Sequence, residues 1–135
     1  MRKVSFDRTE WTNDEGQLHR EDGPAVEFHS GTKFWYQNGE LHRLDNPAVE
    51  YEKGDKKWYQ NGELHRLDGP AAEYSYGAKH WYQNGQRHRL DGPAIELRDG
   101  TKNWYIKGRQ YLEQEWFEML SEDKKIAYLF KLGEK

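Results

Sequence analysis

With 135 residues, 21 basic against 24 acidic side chains and a net charge of -3, the chain has the length of one domain. It lacks the basic excess of a nucleic-acid or anionic-membrane binder. No cysteine is present, which excludes disulfides, thiolate nucleophiles and cysteine-based zinc sites and fits a reducing compartment. Only 34% of residues are hydrophobic, and six Trp, nine Tyr and five Phe supply much of that share, so thin aromatic sheets are expected in place of a thick aliphatic core.

The N-terminal MRKVSFDRTEW carries no apolar run of signal-peptide type, and no stretch approaches the length of a membrane span. A cytoplasmic location without membrane association is expected. KVSF supplies a first, incomplete hairpin. From Trp11 onward the chain repeats itself: Trp35, Trp58, Trp81 and Trp104 recur every 23 residues, as do His19, His42, His65 and His88. Units therefore start near 11, 35, 58, 81 and 104. Residues 1–111 read as hairpin repeats preceded by an N-terminal strand, and 112–135 as a helical cap on the same structural domain.

Within a unit, the Asn-Gly pairs at 38–39, 61–62 and 84–85 predict type I′ hairpin turns. Asp-Gly-Pro at 22–24, 68–70 and 91–93 punctuates the chain next. The second unit has Asn46 in the glycine position, and since Asn commonly replaces Gly at unusual φ, a special backbone is expected there. Short alternating strands follow (AVEF, AVEY, AAEY, AIEL), each ending at a second glycine. Alternation places Val26/Phe28, Val49/Tyr51, Ala72/Tyr74 and Ile95/Leu97 on one face and Ala and Glu on the other. The Trp-Tyr pairs split into a column of Trp and a column of Tyr. The expected fold is mainly β: an extended antiparallel sheet of four to five stacked hairpins, nine or ten strands in all.

Past Tyr111 the repeat is lost. Trp116, Phe117 and Leu120 fit one helical face, Ser121 is a natural N-cap, and Ile126, Leu129 and Phe130 form a second apolar stripe. This segment is expected to cap one end of the sheet, with a partner-binding or dimerising helix as the alternative.

The run Trp58-Tyr59-Gln60-Asn61-Gly62-Glu63-Leu64-His65 resembles the first half of a MORN repeat, a hairpin of similar length built around an aromatic strand and an Asn-Gly-type turn. The second half, Arg66-Leu67-Asp68-Gly69-Pro70-Ala71, departs from the usual Gly-x-Gly. It is similar to divergent MORN-like repeats with a His-Arg-x-Asp-Gly-Pro-Ala signature in bacterial, phage and giant-virus proteins. The resemblance implies a scaffold or binding role, assigns no catalytic residue, and extends to a phage-encoded inhibitor that blocks a host defence complex.

The string His-Arg-x-Asp, at 19–22, 42–45, 65–68 and 88–91, contains the residue types of an active site. A catalytic base repeated four times is not how one pocket is assembled. The structural reading has Asp bonding backbone donors of its turn, Arg lying over an aromatic ring and His bonding the neighbouring unit. A histidine column cannot hold zinc, because successive hairpins advance about 9.6 Å whereas ligand nitrogens on one ion lie about 3.4 Å apart. His29 and His80 fall off the column and are expected at the surface. A nucleic-acid ribbon is the alternative offered by aromatic columns with interleaved Arg and Lys. The regularly spaced Glu27, Glu50, Glu73 and Glu96 are instead expected to pair with the Lys across strands.

The reading is a non-enzymatic module with no cofactor and no metal, and with a protein as partner. Its candidate binding residues are Trp35, Trp58, Trp81, Trp104, Tyr36, Tyr59, Tyr82, His42, His65, His88, Arg43, Arg66 and Arg89. Nucleic acid and membrane are disfavoured partners. Homodimerisation is open through a sheet edge or the C-terminal helix, and a small-ligand site or enzyme built on one His/Arg/Asp cluster is the competing class.

Overall fold

Pairing of short extended segments in chain order dictates the architecture. A computed structural model describes residues 1–133; the final two residues of the expected cap lie outside the described residues. Eleven strands form one antiparallel sheet in sequential order. They are Arg2–Val4, Arg8–Trp11, Val26–Phe28, Lys33–Phe34, Val49–Glu50, Lys56–Lys57, Ala72–Glu73, Lys79–His80, Ile95–Glu96, Lys102–Ile106 and Arg109–Tyr111. The segment around KVSF supplies the first of them, paired as Lys3 opposite Glu10.

The single ribbon expected from the sequence is instead the eleven-stranded sheet and three separate hairpins. Tyr36–Gln37 with Glu40–Leu41, Tyr59–Gln60 with Glu63–Leu64, and Tyr82–Gln83 with Gln86–Arg87 are separate two-stranded hairpins outside the large sheet. The chain changes layer at the tryptophan. The N–H of Trp35, Trp58 and Trp81 donates to the sheet-side carbonyls of Ala48, Ala71 and Ala94. The tryptophan carbonyls accept from His42, His65 and His88 in the hairpin. Each tryptophan is thus bonded in both directions and belongs to neither strand.

The predicted turns are present. Asn38, Asn61 and Asn84 have φ of 48°, 50° and 50°, and the glycines after them 83°, 80° and 77°; two successive positive φ values define a type I′ turn. Lys107-Gly108 makes the same turn without Asn, at φ 50° and 84°.

Register fixes the faces. Val26, Phe34, Val49, Lys57, Ala72, His80 and Ile95 stand opposite one another across successive strands, and Glu27, Lys33, Glu50, Lys56, Glu73 and Lys79 alternate on the other face. The core is thin, as the composition requires. Ala25, Ala48, Ala71 and Ala94 are fully buried, and Val26, Val49, Ala72 and Ile95 nearly so.

The C-terminal end is closed by α1 (Glu113–Glu118) and α2 (Glu122–Gly133). Glu115 accepts the Leu112 N–H at 3.0 Å. Ser121 Oγ accepts from the Lys124 N–H at 3.3 Å, the expected N-cap. Trp116, Leu120 and Tyr128 form a buried cluster against Trp104 and Ile106 of the sheet and Leu90 of the preceding turn. The tail's second stripe departs from expectation, since Ile126, Leu129 and Phe130 are exposed. Tyr128 turns inward in their place, its hydroxyl donating to Glu113 at 2.6 Å. Burial and the neighbouring Glu113 push its phenol up to about 12. No helix among the described residues is long and apolar enough to cross a membrane.

Candidate functional site

The four arginines occupy equivalent settings. The guanidinium carbons of Arg20, Arg43, Arg66 and Arg89 lie 3.7, 3.8, 3.9 and 3.7 Å from the ring centres of Trp11, Trp35, Trp58 and Trp81. A planar, weakly hydrated cation favours the face of an indole. Each Nη1 also donates to a proline carbonyl four residues on, at 3.0–3.2 Å. The same atom reaches Glu27, Glu50, Glu73 or Glu96 at 3.2–3.5 Å. The expected Lys–Glu ladder is therefore replaced. Lys and Glu stand opposite in register, but the carboxylates turn to the guanidinium, which offers several donors in one plane.

The aspartates behave differently from the expectation of backbone bonding. Asp22, Asp68 and Asp91 accept from the arginine Nε two residues earlier, at 3.1, 3.2 and 2.7 Å. The glycine after each leaves room for the guanidinium, and the special backbone expected at this position is absent, since Gly23, Asn46, Gly69 and Gly92 are not among the residues of positive φ. A Cβ on Gly23, Gly69 or Gly92 would meet the arginine Cζ at 3.0, 2.8 and 2.8 Å. Asn46 carries that Cβ, and there the turn is altered. Asp45 adopts φ 64°, and Arg43 keeps only its bonds to Pro47 and Glu50. Asn46→Gly should return Asp45 to negative φ and restore its bond to Arg43. Relief of the left-handed residue contributes about 1 kcal/mol and the exposed pair about 0.5. The added chain freedom of Gly offsets about 0.5–1, leaving a net stabilisation below about 1 kcal/mol. Urea denaturation reads the gain, and the amide–Hα coupling of Asp45 reads the change of φ.

The histidine column is a row of acceptors. Nδ1 of His19, His42, His65 and His88 each accepts, at 3.0 Å, the backbone N–H of Asn38, Asn61, Asn84 and Lys107. Those donors are the positive-φ residues of the next turn, and their N–H groups have no strand partner. An accepting Nδ1 requires the neutral ring with its proton on Nε2. Burial, then the nearby Lys107 charge, pulls the His88 imidazole down. Burial, Arg87 and Lys57 do the same to His80. A proton then binds the unfolded chain first, so these two histidines contribute stability in full above about pH 6.5 and lose it as pH falls further. Asp55, held low chiefly by the Ser75 backbone N–H, follows below about pH 3.9. Thermal melts from pH 8 to 3 should show both stages, and His80→Gln/His88→Gln should flatten the first.

His80 is not the surface residue expected. It is half-buried, 5.4 Å from the Tyr74 ring and stacked 6.5 Å from Tyr82. A second aromatic run, Phe28, Phe34 and Tyr51, meets it through Lys57, whose ammonium lies 5.9 and 5.8 Å from the Tyr51 and Tyr74 rings. Burial, with their neighbouring tyrosines, raises the Tyr36 and Tyr59 hydroxyls. The tryptophans, tyrosines and histidines among the candidate binding residues are all half-buried, as are Arg43 and Arg66, while Arg89 is buried and His29 is exposed as expected. Trp104 has no arginine stack; the eighth residue after it is Leu112, and Trp116 packs on it at 6.4 Å.

Among the described residues no cluster of His, Asp or Glu is arranged to hold a metal ion. What the repetition leaves open is a file of three clefts of about 680, 370 and 460 Å³. The first two share Arg43 and the last two share Leu67 and Asp68. Leu44 and Leu67 line them and are 62% and 75% exposed. Neither drew attention in the sequence, although an apolar residue recurring inside a polar turn at the repeat spacing was the available signal. No known family, curated protein or solved structure matches this chain.

Proposed function

We propose that the protein is a non-enzymatic, protein-binding module assembled from four to five MORN-like hairpin units of 23 residues. The observation that carries this reading is the internal use of the repeated His and Arg side chains. Each histidine Nδ1 of the column holds a turn, and each arginine is bound to a tryptophan, a proline carbonyl and a glutamate. A general base needs an unoccupied lone pair within reach of substrate, and these lone pairs are occupied. The guanidinium groups are likewise neutralised by their own carboxylates, which disfavours a phosphate backbone as ligand. A rigid surface of repeated clefts remains, and such a surface loses little conformational entropy on binding.

The test is affinity capture with the full chain from its native cell, with and without nuclease. Stoichiometric retention of one or a few proteins, unchanged by nuclease, is the expected result. Retention that vanishes with nuclease, or turnover of a small molecule that is lost in His65→Gln, would overturn it.

A further inference from the structure

Leu44, Leu67 and Leu90 stand 23 residues apart and differ in one respect. The first two are exposed, whereas Leu90 packs against the cluster of Trp116, Leu120 and Tyr128 in the C-terminal helical segment. Lys124 of α2 lines the last cleft, and Lys131 donates to the Asp91 carbonyl at 3.4 Å. The chain thus covers one member of a periodic row with an amphipathic helical segment bearing lysines at its margin. The rest of the row keeps matching chemistry. Its rim carries Glu21, Asp22, Asp45 and Asp68, the side chains of Glu21, Asp22 and Asp68 being 81%, 86% and 89% exposed. The arginines between them are neutralised from within by Glu50 and Glu73.

We propose that the clefts carrying Leu44 and Leu67 bind a basic amphipathic helix of a partner protein, extending along the row the cover that the C-terminal helical segment gives Leu90. The inference rests on the protein-binding reading above and names its surface and partner chemistry. Apolar anchors at helical spacing enter beside the leucines, and lysine or arginine at the helix margin meets the acidic rim. A second copy's α2 is a poorer occupant, because it already lies against its own last cleft, where Lys124 lines the wall and Lys131 donates to the Asp91 carbonyl. Nucleic acid is opposed by the acidic rim.

The probe is a fluorescent Leu/Lys model helix of roughly fourteen residues, about four turns, titrated into the full-length protein by anisotropy. Three controls accompany it: a scrambled peptide of the same composition, a Leu/Glu counterpart, and the variants Leu44→Ser/Leu67→Ser and Asp45→Asn/Asp68→Asn. The amphipathic Leu/Lys peptide should bind and the Leu/Glu peptide should not. The leucine double variant should weaken binding by at least about tenfold, with an unchanged melting temperature since both side chains are exposed. The aspartate variant should reduce the salt dependence. Equal binding of the scrambled peptide, or full binding by the leucine variant, overturns the proposal. So does a sedimentation dimer that the leucine variant dissociates, which would make a second copy the occupant. In the native-cell capture, a partner kept by Leu44→Ser/Leu67→Ser rejects this surface while leaving the binding reading intact. A wild-type chain that retains no protein at all rejects that reading itself.

Discussion

Replacing Trp116 by alanine is expected to cost about 3–5 kcal/mol, the range for deleting a large buried aromatic. Trp116 is fully buried, sits edge-on to Tyr128 at 5.0 Å and covers Trp104. Its Nε1 also donates to the Arg89 carbonyl at 2.8 Å, so the substitution opens a cavity and orphans an acceptor together. Trp104 Nε1 is already buried without a partner among the described residues, which leaves that end no reserve of bonding. Trp116→Phe separates the two contributions. It keeps most of the packing and should lose about 1–2 kcal/mol, chiefly through the unpaired carbonyl. Urea denaturation followed by circular dichroism gives the totals. Amide exchange in Lys102–Tyr111 should accelerate before exchange in Val26–Phe34, because a sequential sheet opens from its unprotected end. A loss below about 1 kcal/mol for the alanine variant would mean that the helices are an appendage and not a cap.

Local rules carried the sequence a long way. Asn-Gly identified its turns because type I′ geometry demands two positive φ values, and that demand is met within two residues. The Arg–Trp stack and the His bond to the next unit were legible as kinds of contact, since both depend on groups held at fixed repeat spacing. What sequence alone could not resolve depended on competition. Glu50 stands opposite both Lys33 and Lys56, and only the folded chain shows that Arg43 wins it. The glycine of Asp-Gly-Pro has an ordinary φ, so its requirement for space appears only once the guanidinium is in place. The departure from the sheet at Trp35 was hidden for a related reason: no Gly, Pro or Asn marks it within Lys33–Gln37, while the hydrogen-bond partners switch. In the tail, helical periodicity marked two apolar stripes equally well. Tyr128 was taken inward over Ile126 and Phe130 because its ring meets Trp116 and its hydroxyl meets Glu113.

The arginines turn this competition into a graded prediction. Arg89 is 10% exposed and holds Asp91, Pro93 and Glu96 while stacked on Trp81. Arg89→Met keeps an aliphatic stem over the indole but strands two carboxylates and a carbonyl in a part-buried setting. Since Asp91 and Glu96 stay 66% and 36% exposed, water screens part of the loss, and the cost is about 2–3 kcal/mol. Arg66, at 24% exposure with the same partners, lies nearer to water, and Arg66→Met should cost about 1–2 kcal/mol. Arg43 lacks the aspartate bond altogether, so its substitution should be the mildest of the three. Lysine should restore little at position 89, since one ammonium cannot lie flat on Trp81 and serve three acceptors at once. Urea midpoints in the order Arg89, Arg66, Arg43 support a structural role scaled by burial. Equal losses at all three positions would show that the tryptophan stack, common to all, carries the energy and the carboxylates very little. A variant that folds at wild-type stability yet fails to retain the partner would reassign that arginine from the frame to the binding surface.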